Sequence, residues 1–123
     1  MKLDFDTTTA RHSVTAYAAG WIRVGDQRIT VPCVVSAAGI VTDVLPSAVG
    51  DLTEQHFAHL ATLNADIVLL GTGARQDFVD YAYVHWLAER RIGLEIMDTG
   101  AACRSYNVLV SEGRAVAAAL YMI

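Results

Sequence analysis

The chain is short of most features that would assign it to a class at once. It has two cysteines, Cys33 and Cys103, far apart and in no CxxC pair. Two thiols cannot build the dense disulfide framework of a small secreted domain. A single bridge stays open, and reduced thiols are the expectation. Basic residues are few: nine Lys and Arg stand against thirteen Asp and Glu, for a net charge of −4. Only Arg90 and Arg91 are adjacent, at an expected helix end, where a cation complements the dipole. The concentrated basic surface that nucleic acid requires is missing, so no nucleic-acid partner is expected.

Long apolar runs are missing too. The uncharged stretch from Ile29 to Thr42 contains Pro32 and Gly39 and falls short of the roughly 20 residues that span a bilayer. Asp4 and Asp6 interrupt the place where a secretory leader needs its apolar run. No membrane insertion and a cytoplasmic location are therefore expected. Charged residues make up 18% of the chain, which leaves little material for a disordered tail. At 123 residues, 54% of them hydrophobic, the chain has the size and the apolar content of one domain over 1–123.

What is present reads first as strands, then as alternating elements. Ser13–Val24 and Arg28–Ser36 are rich in Val, Ile, Thr and aromatics, and Gly25-Asp26 between them predicts a hairpin. A further strand is expected over Ile40–Val44, ended by Pro46. Asp51-Leu-Thr-Glu54 predicts a helix start, with Phe57, Leu60 and Ala61 on its apolar face. Ile67–Leu70 is continuously apolar, as in a strand buried on both faces. A Gly71-Thr72-Gly73 loop follows, then a helix over 76–91 broken by Gly93, then a strand over Leu94–Met97. Asp98-Thr99 opens a third helix that Gly113 ends; Ala102, Tyr106, Leu109 and Val110 share one face. Ala115–Ile123 is apolar enough for a last strand. The β-α-β-α-β order predicts a parallel or mixed sheet with helices packed on it, and parallel neighbours at Ile67–Leu70 and Leu94–Met97.

Two stretches carry a resemblance. Ile67-Val-Leu-Leu-Gly-Thr-Gly73 is the first, and Met97-Asp-Thr-Gly-Ala-Ala-Cys-Arg-Ser-Tyr-Asn-Val-Leu-Val-Ser-Glu-Gly-Arg114 the second and more specific. Together they resemble the domain family that includes mitochondrial complex I assembly factor 3 and the adipogenesis-associated domain protein. The resemblance covers nearly the whole chain. It implies a three-layer α/β domain with a central mixed sheet, flanking helices and an additional small β-sheet. It implies no established reaction and no cofactor. Without a mitochondrial presequence pattern, the chain reads as a member of the bacterial branch. The function so implied is a non-enzymatic protein-interaction or assembly-factor-like domain, with a protein partner or self-association.

The alternative reading is a small-molecule or anion-binding protein, conceivably an enzyme, using the crevice at Gly71-Thr72-Gly73. Glycines after a strand let backbone approach a ligand, and helix N–H groups offer an anion site; a tight turn uses them equally well. Arg75 is placed at a helix start, where either an anion or Asp98 would offset its charge. Thr99 is read as an N-cap, with Arg104 and Asn107 as a second wall or as structural partners.

Cys103 lacks an activating base, so no nucleophile is expected. His56 and His59 are read as solvated, with no accompanying ligands that would suggest a metal. His12 and His85 are isolated and support nothing further. On helix 76–91 the core stripe is Val79, Ala82, Tyr83 and Trp86, while Tyr81, Val84 and Ala88 lie opposite as candidate interface residues.

Overall fold

Residues 12–123, together with the backbone of Leu3–Asp4, are described in the computed structural model of the chain. The leader reading concerns residues that otherwise lie outside that set. Turn chemistry sets the first layer. The run 13–24, expected as one strand, folds back at Gly20, whose φ of +84° suits glycine alone. It yields β2 (Val14–Ala18) and β3 (Trp21–Val24), and the Gly25-Asp26 turn leads on to β4 (Gln27–Ile29). With β1 (Leu3–Asp4) these form an antiparallel sheet in the order β1-β2-β3-β4. The second expected strand, Arg28–Ser36, is also two. Pro32 has no N–H to give a ladder, and around it the chain passes from the small sheet to the central one.

There β5 (Cys33–Ser36) turns into β6 (Gly39–Val41). The latter is shorter than the expected Ile40–Val44 because Val44 and Leu45 pack down onto a helical layer instead. That layer begins with α1 (Glu54–Ala61). Its N-cap is Thr53, whose N–H donates to His56 Nδ1 at 2.9 Å. Asp51, the expected start, ends a short 3-10 turn, Val49–Asp51. His56 is therefore part of the cap, whereas His59 is exposed as expected.

β7 (Ile67–Gly71), α2 (Ala82–Ala88), β8 (Gly93–Met97), α3 (Thr99–Ser111) and β9 (Val116–Leu120) complete the order. α2 is less than half of the expected 76–91. The Asp77 N–H donates to Thr72 Oγ1, the Phe78 N–H to the Asp77 carboxylate and the Ala82 N–H to that of Asp80, each at 2.9 Å. Side chains that satisfy the backbone locally compete with a helix, so 74–80 is loop. At the other end Arg91 takes a φ of 63°, and Gly93 opens β8 rather than breaking the helix.

The central sheet runs β6-β5-β9-β7-β8. β7 is parallel to both neighbours, β8 and β9, while β5 is antiparallel to β9 and β6. The expected parallel pair is present in register, from Ile67 opposite Gly93 to Gly71 opposite Met97. Side chains alternate across the sheet as the strand period demands. Val34, Val68, Leu70, Leu94 and Ala119 face Phe57 and Leu60 of α1 and Leu87 of α2. Cys33, Val35, Leu69, Ala118 and Leu120 face Ala102, Cys103 and Tyr106 of α3, with Val14 and Ile22 of the small sheet closing that side. The result is the expected three-layer α/β arrangement. Within α2 the fully buried residue is Leu87, which the stripe omits, and Ala82 is exposed.

Candidate functional site

The Gly71-Thr72-Gly73 loop is where the sequence places a crevice, and the structure knits it shut. Gly71 ends β7 against the first turn of α3: a Cβ there would lie 2.9 Å from Thr99 Oγ1 and 3.0 Å from Thr99 Cα. Glycine is needed for this close approach. Asp98, not Thr99, is the N-cap, its carboxylate accepting from the Ala101 N–H at 2.8 Å. Thr99 is the first helical residue and 0% exposed. Its hydroxyl accepts from the Gly73 N–H at 2.9 Å and donates to the Tyr121 carbonyl at 2.6 Å. The Thr99 N–H returns a bond to the Gly73 carbonyl at 2.9 Å. Most of the donors that suggested an anion site thus have internal acceptors, with the Asp98 carboxylate standing where an external anion would bind.

Thr72 is 8% exposed, and its hydroxyl donates to the Arg75 carbonyl at 2.7 Å. Arg75 lies in the 74–80 loop and not at a helix start, so it opposes no dipole. Its guanidinium is exposed and makes no ion pair with Asp98 or any other described residue. Arg104 donates to the Tyr17 hydroxyl at 2.6 Å. Asn107 spends both ends of its amide on one residue of β2: Oδ1 accepts from the Val14 N–H at 2.9 Å, and Nδ2 donates to the Val14 carbonyl at 2.8 Å. These two side chains clamp α3 to the small sheet. Cys33 and Cys103 are free and buried, and burial pushes both thiols up to about 12. Among the described residues no cluster of three His, Cys, Asp or Glu could hold a metal ion.

A different surface gathers unspent apolar side chains. β8 is one of the two edge strands of the central sheet, with no strand beyond it among the described residues, and grooves flank both of its faces. On the α2 side a groove of about 470 Å³ is lined by Phe78, Val79, Tyr81, Val84, Leu94 and Ile96. Phe78 is 82% exposed and Tyr81 64%, the latter edge-on to the His85 ring at 4.8 Å. Val84 is half-buried and Ala88 exposed. On the α3 side a groove of about 340 Å³ runs between Glu95 and Met97 of β8 and Arg104, Val108 and Leu109 of α3. Sequence reasoning found Tyr81, Val84 and Ala88 but missed Phe78. The signal for Phe78 was its position between Asp77 and Asp80, in the half of the expected helix that does not form. No described helix is long and apolar enough to cross a membrane.

Residues 14–121 match a family described as protein of unknown function, DUF498/DUF598. NADH dehydrogenase (ubiquinone) 1 alpha subcomplex assembly factor 3 of Xenopus tropicalis is 29% identical over 97% of this chain. The Bos taurus protein of the same name is 30% identical over 87% of it. The chain spans 65% and 59% of the lengths of these two relatives. Among solved structures, a Bordetella parapertussis protein superposes with a TM-score of 0.83 at 36% identity, over 93% of this chain and 98% of the other. A structure titled an outer membrane protein from Bartonella henselae gives 0.79 at 28% identity, over 94% and 98%.

Proposed function

The chain belongs to the DUF498/DUF598 family of proteins of unknown function, and from that premise we propose that it is a protein-interaction domain of the assembly-factor type, binding without catalysing. The observation that carries this reading is the edge of β8, unpaired among the described residues, with Phe78 and Tyr81 exposed beside it. An unpaired strand edge offers a row of N–H and C=O groups, and an extended segment of another protein can add to it as a further strand. Its alternate side chains would then enter the two grooves. Tyr81 and Val84 form the apolar wall of the larger one, and Ala88 extends the same surface along α2. The assembly role in the relatives' names supports a protein as the occupant. A cytoplasmic location is part of the same proposal and stands against the membrane title of the Bartonella neighbour.

The test is affinity capture with the wild type and with Phe78→Asp combined with Tyr81→Glu. Both positions are exposed, so thermal unfolding should change little. A stoichiometric partner, recovered from the soluble fraction, is expected with the wild type and lost with the variant. Equal recovery by both would refute the assignment of this surface, and recovery only with envelope membranes would overturn the location.

A further inference from the structure

At the other end of the parallel strands from the Gly71 loop, α3 turns into β9 and leaves a polar group unspent. Tyr106 is 1% exposed, yet its hydroxyl has no hydrogen-bond partner among the described residues. No side-chain nitrogen or oxygen that is sealed from solvent lacks a partner among them. The trace of surface that Tyr106 keeps therefore includes the hydroxyl. Tyr106 lines a cavity of about 230 Å³, shared with His12, Ala37, Val110, Arg114 and Val116. A tyrosine hydroxyl with no partner among the described residues and a trace of surface can donate to a ligand in that cavity, as it can to water.

The lining narrows the chemistry. Burial pushes the phenol up to about 12 from an ordinary 10.0, so it remains a neutral donor and needs an acceptor. Arg114 lines the same cavity, is exposed and has no ion pair among the described residues, so it supplies a positive charge to the lining, against the weaker negative end of α3. Ala37, Val110, Ala115 and Val116 make the described lining otherwise apolar, apart from His12. α3 presents its C-terminal end here, and the amides of Glu112, Gly113 and Arg114 are already spent on the carbonyls of Val108, Val110 and Leu109. The cradle of backbone N–H groups that phosphate favours is therefore missing. The volume lies below the roughly 300–1,000 Å³ of pockets that hold drug-sized ligands.

We propose that this cavity binds a small monocarboxylate with a short apolar tail. The carboxylate lies between the Tyr106 hydroxyl and the Arg114 guanidinium, which recognises it through paired N–H donors. The tail rests on Val110 and Val116, and His12 borders the mouth. This site is independent of the β8 edge, and neither proposal needs the other.

Sodium butyrate titrated into the full chain, followed by amide and tyrosine-ring NMR signals, tests it. Saturable shifts at Tyr106, Arg114, Ala115 and Val116 are expected, with a dissociation constant on the order of 1 mM, the weak affinity of a ligand of so few atoms. Tyr106→Phe removes only the oxygen and should weaken binding about tenfold, the usual loss for a hydrogen bond to a charged group. Arg114→Ala, at an exposed position, should abolish the response while the chain stays folded. Any of three results overturns the proposal: no saturable response to butyrate, the same response to sodium phosphate or butanol as to butyrate, or undiminished binding by Tyr106→Phe.

Discussion

Replacing Thr99 by valine keeps the side-chain shape and deletes one oxygen. That oxygen serves two partners at once, the Gly73 N–H at 2.9 Å and the Tyr121 carbonyl at 2.6 Å. Thr99 is 0% exposed, and Gly73 and Tyr121 are buried, so water cannot take the hydroxyl's place. Leaving a buried donor or acceptor unmatched costs about 1–3 kcal/mol for each group. The extra methyl returns at most about 0.8 kcal/mol, so the net loss should be about 3 kcal/mol. Thr99→Ser makes the opposite trade: both bonds stay and one methyl goes, for about 1 kcal/mol. Urea unfolding distinguishes the two. Thr99→Val should lower the midpoint by about 1–3 M at unchanged slope, and Thr99→Ser by clearly less. Hydrophobicity alone predicts the reverse order. If Thr99→Val proved as stable as Thr99→Ser, or more stable, that would refute the view that this hydroxyl ties β7, β9 and α3 together.

Asn107→Leu should cost about 2–4 kcal/mol, because it strands both backbone groups of Val14. Amide exchange in β2 should then rise well above that in β7; equal protection of the two strands would sink the clamp. Alkaline pH acts through the buried acids. Cys33 and Cys103 are raised from 9.0 to about 12, and Tyr106 and Tyr121 from 10.0 to about 12. Each group is raised in the folded state, so its contribution is fully present below the unfolded value and is lost as pH rises toward the folded one. The urea midpoint should therefore hold up to pH 9 and fall between 9 and about 12, and a flat midpoint across that window would contradict the burial of these groups.

The sequence is most legible where one local rule decides. Ile67–Leu70 is apolar without a break because helices and the small sheet cover both faces of the central sheet, and β7 lies where that run predicts a strand. The Asp98–Gly113 stretch carries both its start signal and its periodic face, and α3 follows it; only the cap moves from Thr99 to Asp98. Failure comes where side chains compete with a pattern. Helical periodicity over 76–91 is real, but Thr72, Asp77 and Asp80 capture the backbone of its first half, and all three are of types that helix starts favour. Asn107 stands out as unusual within a helix. Its partner, Val14, lies 93 residues away, and no window contains both. The edge position of β8 is invisible for the same reason, because it depends on which strands fill the other places in the sheet.

The strand order has a consequence for the newly made chain. β9, at 116–120, is inserted between β5 and β7, so the β5-β6 hairpin and the β7-β8 pair have no seam between them until those residues emerge from the ribosome. Both flanks of the gap are apolar edges during that interval, and such edges invite wrong pairing. Joining them closes loops of about eighty and fifty residues, the kind of distant contact that slows folding. The residues that fill the gap, Ala117, Ala118 and Ala119, are all 0% exposed and small. β9 is made after both the strands it joins, and its short side chains ask for little room between the layers above and below.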